Sequence, residues 1–498
     1  MLLRQTLLYL PAQLLGPVFQ LISAFAWTHY LVPAEMGSFA LISAAQELAF
    51  SVALMWFSLY TVRYFDSGAA ADDTTRFHAT ESAVLIGATL AMGLALTVIP
   101  LGQGGALTGS LLAASLAFVI SRSLVSYLAD RVRTAGDTLA YTVLQSSGPV
   151  AGFFIALLLV KIFPATAATV LTGYAIAQIA SLIFAALRLR FSLRPHDGSW
   201  HVVKQAMSYG LPLFFGGLLI WIANNGLRFL IEWKEGITAV GLVTVGWSLG
   251  LRAAQFASML TTAAAFPLAL KRARQDGMAA GQAQLVNNGV LLVIALAPAI
   301  AGLYVIGQPL IALIIAEPYR QITTQVLPLA LVTGAARNVR LHFANQVFLL
   351  RERPLIPVLN DAADAVLTLV LGGVGLWLGG LTGCVLGVMA GAVLTLVSGF
   401  VASWRWYAFT FPLADVFRIG TATLAMALAV GSLSTKPNAL SLSIAVMIGG
   451  LVYTAALAAM YPGAILKTAS LLQNHLPRSG SLARLAARFN SIKPDPRP

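Results

Sequence analysis

Fourteen apolar stretches, each about 20 residues long, follow one another along the chain and constrain its fold more than any other feature. A helix of about 20 residues crosses the roughly 30 Å hydrocarbon layer of a bilayer, whereas membrane-spanning strands would alternate apolar and polar residues. With 58% hydrophobic and 10% charged residues among 498, the chain has too much apolar surface for a soluble domain. The sequence therefore predicts an all-α polytopic membrane protein with about 14 transmembrane helices. We place their centres near residues 18, 48, 92, 117, 151, 176, 219, 252, 296, 337, 366, 393, 426 and 450.

The net charge of +13 comes from basic residues that concentrate on one side of the predicted membrane. Of 31 Lys and Arg, 22 fall in loops on that side, while the opposite loops keep Lys161, Lys234, Arg320 and Lys436. Cytoplasmic loops carry such an excess, so both termini are predicted to be cytoplasmic. Because topology accounts for the basic charge, we expect membrane lipids and no nucleic acid as partners. The single cysteine, Cys384, excludes an internal disulfide and a thiolate metal cluster.

The chain contains two copies of one six-span unit. The turn at Gly37 recurs at Gly241, 204 residues later, and Arg131-Val-Arg133 recurs as Arg351-Glu-Arg353 at an offset of 220. We assign the difference to an insertion around GQPLIALIIAEPYRQ, predicted to be a short re-entrant or interfacial piece. Because six is even, both copies begin on the same side and the repeat is parallel. The predicted organisation is an N-lobe over 1–190 (spans one to six), a C-lobe over 191–406 (spans seven to twelve), spans thirteen and fourteen over 407–466, and a basic cytoplasmic tail over 467–498.

Two stretches of this repeat resemble a known family. PAEMGSFALISAAQELAFSVALMWFSLYTVRYF is similar to the first helical hairpin of polysaccharide and O-antigen flippases, the Wzx-like polysaccharide transporter family of the multidrug/oligosaccharidyl-lipid/polysaccharide (MOP) exporter superfamily. GLPLFFGGLLIWIANNGLRFLI, followed by VGLVTVGWSL, resembles the seventh and eighth helices of that family. An acidic residue often found near the end of helix seven is absent, with Gly226 in its neighbourhood. No coupling role attached to that carboxylate is therefore carried over.

The resemblance implies a function. Such proteins move an oligosaccharide on an undecaprenyl pyrophosphate carrier from the inner to the outer leaflet of the bacterial cytoplasmic (inner) membrane. They do so by alternating access of two lobes around a cationic cavity, driven by an ion gradient or the membrane potential. A coupling ion, H⁺ or Na⁺, is the one cofactor that this implies. O-antigen, lipopolysaccharide or exopolysaccharide synthesis, with a glycan polymerase and export machinery as partners, follows from the same resemblance.

Eight ionisable side chains inside the predicted spans are the candidate functional residues. A charge at the centre of a spanning helix costs about 2.5–3.5 kcal/mol on insertion scales, so these groups must face a wet cavity or one another. Five arginines against three carboxylates leave at least two arginines for an anion, and the guanidinium fork suits a pyrophosphate. We expect Arg337 and Arg340, on one helical face, to hold the pyrophosphate or an acidic sugar. The full predictions are Arg337, Arg340, Arg252, Arg228, Asn225, Arg122, Gln13 and Gln20 for substrate binding, and Glu47, Asp361 and Asp364 for ion coupling.

Structural roles are the alternative for several of these residues. A long arginine side chain near a helix end reaches water by itself, and a carboxylate beside a basic loop neutralises it. On this interpretation Arg122 reaches the cytoplasm, Arg228 pairs with Glu232, Asp361 and Asp364 neutralise Arg351 and Arg353, and Glu47 is a protonated helix-packing residue.

Three other functions stay open on the sequence alone. A flippase for a lipid II-type peptidoglycan precursor would share every feature above. A drug/cation antiporter of the same superfamily would share the lobes, but its cationic substrates fit a positive cavity poorly. A membrane glycan polymerase or ligase would need a large periplasmic loop, and no loop here exceeds about twenty residues. With no nucleophile arrangement or metal-ligand cluster in the sequence, we do not expect an enzyme.

Overall fold

Helices make up the regular structure of the computed structural model, which describes residues 2–64, 71–102, 109–189, 198–262, 265–433 and 435–462. Within these ranges, the side chains of residues 2–14, 71–75, 99–102, 260 and 262 are not described. No strand occurs in the described part of the chain. The predicted basic tail, 467–498, lies outside the described residues.

Long helices occupy all fourteen predicted positions. The first six are α1 (Leu2–Tyr30), α2 (Pro33–Tyr64), α3 (Ala71–Gly102), α4 (Gly109–Thr134), α5 (Thr138–Ile162) and α6 (Ala167–Leu189). The next ten elements are α7 (Trp200–Glu235), α8 (Ile237–Thr262), α9 (Ala265–Asp276), α10 (Met278–Val305), α11 (Gly307–Ile314), α12 (317–350), α13 (355–378), α14 (381–407), α15 (Leu413–Gly431) and α16 (Ala439–Met460). Of these, α9 and α11 are too short to span a bilayer.

Length and composition qualify eleven helical segments of the described chain as membrane spans. One of them, 355–407, contains two spans, because Gly379 (φ −139°, ψ 22°) and Gly380 (φ 58°, ψ −144°) break the helix between α13 and α14. The dihedrals of Gly380 fall in a region that is essentially restricted to glycine. Adding α1 and the more polar α12 gives the fourteen predicted spans, so the predicted fold class is confirmed. Within the predicted insertion, residues 307–314 form the separate short helix α11, and residues 317–321 form the start of α12.

Three of the spanning helices contain a π-helical segment. These segments are Ser51–Met55 in α2, Ser147–Gly152 in α5 and Arg340–Ala344 in α12. A π segment inserts an extra residue into an α-helix and is frequently found at functional sites. Each segment contributes residues to the wall of the central cavity described below.

The two lobes touch where the sequence repeats. A Cβ atom added at Gly37 of α2 would overlap the carbonyl oxygen of Ile237, and one added at Gly241 of α8 would overlap the carbonyl oxygen of Pro33. Gly241 follows Gly37, and Ile237 follows Pro33, by the repeat offset of 204 residues. The contact therefore maps onto itself when the lobes are exchanged. Only glycine permits this backbone-to-backbone approach, which accounts for the repeated turn in the sequence.

A second contact joins the lobes at the opposite end of α2. Gly210 of α7 lies against the backbone of Trp56, close enough that a Cβ would overlap it. One turn further, the Tyr60 hydroxyl donates to Gln205 Oε1 at 3.1 Å. Arg63 then packs over the Tyr209 ring, 4.9 Å from its centroid. Helix α2 is therefore held by the C-lobe near both of its ends, which leaves the space between the lobes in the middle of the bundle.

Arg131 is one of the 22 basic residues that the sequence assigns to loops on the basic side. In the structure α4 continues to Thr134 and carries Arg131 in its last turn, where it contacts α3. There it is 5% exposed and forms an ion pair with the fully buried Glu81, which also accepts a hydrogen bond from the Tyr127 hydroxyl at 2.8 Å. The loop assignment is wrong because a buried carboxylate on the neighbouring helix balances the charge.

Candidate functional site in the central cavity

A cavity with two connected parts lies between the lobes. The N-lobe part has a volume of about 530 Å³ and is walled by α1, α2, α4, α5 and α6, together with α7 and α8. The C-lobe part, about 390 Å³, is walled by α7, α8, α12 and α13, and by Glu47 of α2. Both volumes are in the range of small-molecule sites. The residues common to both parts are Glu47, Ile220, Asn224, Asn225, Arg228, Ser248 and Arg252.

Three arginines converge on the N-lobe part from different helices: Arg122 from α4, Arg228 from α7 and Arg252 from α8. Arg228 Nη1 donates to Asn225 Oδ1 at 2.6 Å, and Arg252 Nη1 donates to Gln20 Oε1 at 2.9 Å. Both acceptors are uncharged amides, so neither bond balances a positive charge. Within the described part of the chain, none of the three arginines is within ion-pair distance of a carboxylate.

Glu47 is the carboxylate shared by these three arginines. It is exposed to the cavity on α2 and attracts all three guanidinium groups. Its Oε2 accepts a hydrogen bond from Asn225 Nδ2 at 3.1 Å, which connects the N-lobe to the C-lobe across the cavity. Three positive charges and one negative charge leave this part of the cavity with a net charge of +2.

Gly148 makes room for Arg122. It lies in the π segment of α5, where a Cβ would come within 3.3 Å of Arg122 Nη1 and 3.2 Å of Gln178 Nε2. Without that Cβ, the guanidinium lies at the cavity wall. This placement differs from the alternative in which Arg122 extends along its helix to the cytoplasm.

The C-lobe part contains a second, self-balanced group of charges. Asp364 on α13 is fully buried and accepts hydrogen bonds from Arg337 Nε (3.0 Å), Arg337 Nη2 (3.1 Å) and Arg340 Nη2 (2.9 Å). Asp361, one turn earlier, forms an ion pair with Arg340 at 2.9 Å. Arg337 Nη2 also donates to Thr368 Oγ1 at 2.9 Å. Two arginines therefore face two carboxylates, and the local net charge is zero.

These pairs decide between two interpretations of the carboxylates. The idea that Asp361 and Asp364 neutralise Arg351 and Arg353 is wrong, because both carboxylates bond to arginines of α12 within the bundle. The pairing of Arg228 with Glu232 is likewise not formed, since Arg228 bonds Asn225 and Glu232 is exposed.

The structure brings most of the predicted site residues into one cavity. The side chain of Gln13 lies outside the described residues, so that prediction has no structural counterpart. Sequence reasoning missed Asn224 and Thr368, both of which bond Arg337. The sequence does carry a signal for Thr368, because this residue follows Asp361 and Asp364 on one helical face. The predicted residues that line the cavity are Arg337, Arg340, Arg252, Arg228, Asn225, Arg122, Gln20, Glu47, Asp361 and Asp364.

Known structures share this architecture. The structure described as "Lipid II flippase MurJ, inward closed conformation" superposes with a TM-score of 0.73 at 12% identity, covering 92% of this chain and 100% of that chain. An inward-facing multidrug resistance MATE family transporter of the MOP superfamily gives a TM-score of 0.50 at 15% identity, covering 78% of this chain and 94% of that chain. At these identities the similarity shows the fold, that of a MOP-type transporter.

Sequence comparison places the chain in a family. A search of curated proteins finds no significant match. The family model described as polysaccharide biosynthesis protein, in contrast, matches residues 2–271, more than half of the 498 residues. That segment includes α1 to α8 and thus both stretches on which the resemblance rested. The chain therefore belongs to the polysaccharide biosynthesis protein family.

Proposed function

We propose that this protein is a flippase for an oligosaccharide linked to a polyprenyl diphosphate, of the undecaprenyl type. It would transfer this lipid from the inner to the outer leaflet of the bacterial cytoplasmic membrane by alternating access of its two lobes. Both termini would be cytoplasmic, and the product would serve a glycan polymerase and export machinery that build an O-antigen, lipopolysaccharide or exopolysaccharide.

The charge of the cavity is the observation that carries this proposal. A diphosphate esterified at both ends bears two negative charges, which equal the +2 of Arg122, Arg228, Arg252 and Glu47. The three guanidinium groups come from three different helices and surround the space from several sides. Guanidinium donors bind phosphate oxygens through paired hydrogen bonds, and they do so more strongly in a cavity than in bulk water.

The family and fold agree with this assignment. The family description names polysaccharide biosynthesis, and one structural neighbour is a flippase for another lipid-linked precursor. A lipid II-type precursor carries the same diphosphate, so the two flippase assignments differ in the attached group. The MATE-like fold also fits a drug antiporter, but a cavity with a net charge of +2 repels an organic cation.

For coupling, we propose Glu47 as the residue that binds H⁺ or Na⁺. It is the carboxylate that faces the open cavity, whereas Asp361 and Asp364 are already bonded to arginines. A cation on Glu47 would weaken its bond to Asn225, which joins the lobes. A Glu47→Gln variant should therefore transport without dependence on the ion gradient, and normal gradient dependence would remove Glu47 from this role.

Reconstitution tests the flippase assignment. Proteoliposomes would contain a polyprenyl diphosphate carrying a disaccharide with a nitrobenzoxadiazole label, and dithionite would report how much label reaches the outer leaflet. Arg228→Gln should lose most transport, because one charge-assisted phosphate contact contributes about 1.5–3 kcal/mol, roughly a tenfold to 150-fold change in affinity.

Arg418→Gln is the matched control, since Arg418 is exposed and pairs with Asp415 away from the cavity. Its transport should equal that of the wild type. Normal transport by Arg228→Gln, or transport of an organic cation instead of the labelled lipid by the wild type, would refute the proposal.

A further inference from the structure

The charge balance of the C-lobe part sets it apart from the diphosphate site beside it. Arg337 and Arg340 are 8% and 5% exposed, and their charges are balanced by Asp364 and Asp361 at 2.9–3.1 Å. An anion that enters this part meets no unbalanced cation among these four residues. It would instead approach two carboxylates that already form ion pairs with these arginines.

The same wall is rich in groups that bond hydroxyl and acetamido groups. Gln255, on α8, is exposed to the cavity, and the side-chain oxygen of Asn338 accepts no hydrogen bond from another described residue. Arg340 Nε is a buried donor without a hydrogen-bond partner in the described part of the structure. Asp361 has acceptor capacity beyond its single ion pair. Gln255, Asn338 and Asp361 therefore offer donors and acceptors that the protein leaves free at this wall.

The C-lobe part is also continuous with the diphosphate site. Arg228 and Arg252 line both parts, so a group bonded directly to a diphosphate held there extends into one part or the other. The C-lobe part offers charged and amide groups in a volume of about 390 Å³. A saccharide presents many hydroxyls of both donor and acceptor type, and this mixture of guanidinium, carboxylate and amide groups matches them.

On the basis of the proposed function, we propose that the C-lobe part binds the sugar attached directly to the diphosphate. Its balanced group of two arginines and two carboxylates selects an uncharged sugar over one with a carboxylate. Asp361 accepts a sugar hydroxyl, while the fully buried Asp364 balances the arginines. No cation of this group is left to pair with the carboxylate of a uronic acid. Arg337 and Arg340 hold Asp361 and Asp364 in place and do not bind the pyrophosphate. This assignment replaces the expectation that the two arginines hold the pyrophosphate or an acidic sugar.

Three short-chain ligands test the proposal on the purified full-length protein: farnesyl diphosphate, its glucosyl ester and its glucuronosyl ester. The two esters differ only by a hydroxymethyl or a carboxylate at one carbon of the sugar. Isothermal titration calorimetry should show that the wild type binds the glucosyl ester at least about tenfold more tightly than the glucuronosyl ester. The uronic acid would lose the hydration of its carboxylate without gaining a cation partner.

Two variants with opposite charge changes complete the test. Asp361→Asn removes one carboxylate while Asp364 still balances one arginine, so the preference for glucose should fall several-fold. Asn338→Asp adds a carboxylate to the same wall and should strengthen the preference. The affinity for farnesyl diphosphate, which carries no sugar, should change little in Asp361→Asn.

The outcomes separate this inference from the proposed function. Equal binding of both esters by the wild type, a preference for glucuronate, or an unchanged preference in both variants would overturn the inference while leaving the flippase assignment intact. Failure of the wild type to bind farnesyl diphosphate would refute the flippase assignment, and the sugar site would fall with it.

Discussion

Asp364→Asn should be among the most destabilising single changes in the C-lobe. The substitution keeps the size of the side chain and removes its charge. Asp364 is fully buried and accepts three hydrogen bonds from two arginines. An asparagine in its place turns one acceptor into an NH₂ group, which faces a guanidinium donor. One of the three bonds is therefore lost, and the other two are left with a neutral acceptor.

The magnitude follows from these three bonds. A hydrogen bond to a charged group contributes about 1.5–3 kcal/mol, and one to a neutral group about 0.5–1.5 kcal/mol. Losing one bond and weakening two gives about 4 kcal/mol, within the roughly 3–5 kcal/mol expected when one partner of a buried ion pair is removed. Arg337 is affected most, because Asp364 is its carboxylate partner within the described residues.

Asp361→Asn is the matched comparison, three residues away on the same helix. Asp361 makes one ion pair with Arg340, which keeps its bond to Asp364. We therefore expect a loss of about 1.5 kcal/mol, less than half that of Asp364→Asn. The free energy of unfolding would be measured by titrating the purified protein in mild detergent with sodium dodecyl sulfate, monitored by circular dichroism. Equal losses in the two variants, or a larger loss for Asp361→Asn, would refute the reasoning.

Three further predictions concern the lobes, the topology and a helix cap. Gly37→Leu and Gly241→Leu should each abolish transport, because either side chain separates α2 from α8. Gly93→Leu is the control, since a Cβ there meets no atom within 4 Å, and it should transport normally. Equal loss of transport in Gly93→Leu would contradict the role of the contact between α2 and α8. In a Cys384→Ser background, Asn438→Cys should react with an impermeant maleimide in intact cells, whereas Gln275→Cys should react only after permeabilisation. The reverse labelling pattern would show that the predicted topology is inverted. Asp137→Ala removes the acceptor for the Ala140 backbone N–H (3.1 Å) at the start of α5 and should cost about 1 kcal/mol. Because the hydrogen bond from Arg188 lowers the pKa of the Asp137 carboxyl, its contribution is present at neutral pH and declines progressively as the pH falls below about 4. A wild-type advantage that does not decline below this pH would contradict this.

The spans and the repeat were predictable from sequence because their signals are local. An apolar run of about 20 residues predicts a membrane-spanning helix independently of the helices that it contacts. The equivalence of Gly37 and Gly241 required only comparison of the two halves, and the structure shows the two turns in mutual contact. Helix α11 was located because the offset between the halves changes across it.

The pairing of charges was not predictable, because it depends on which helix faces meet. Their spacing places Arg337 and Arg340 on one face of α12, and Asp361 and Asp364 on one face of α13. Spacing alone does not predict that these two faces are in contact. Arg131 was misplaced for a related reason. The apolar run of α4 ends before the helix does, so its last turn resembles a loop until Glu81 of α3 is known to lie beside it.

The net charge of the cavity has an electrical consequence. In an alternating-access cycle, Arg122, Arg228, Arg252 and Glu47 change sides with the cavity, although they never leave the protein. Loaded with a doubly charged diphosphate they carry no net charge across the membrane, whereas empty they carry +2. Moving one elementary charge through 100 mV corresponds to about 2.3 kcal/mol, so an inside-negative voltage of that size favours the inward return of the empty cavity by up to about 4.6 kcal/mol. In the proposed cycle the voltage therefore acts on the unloaded protein. Apart from the charge of a coupling cation on Glu47, each completed turnover moves two negative charges outward, a current that electrodes on a supported bilayer would register.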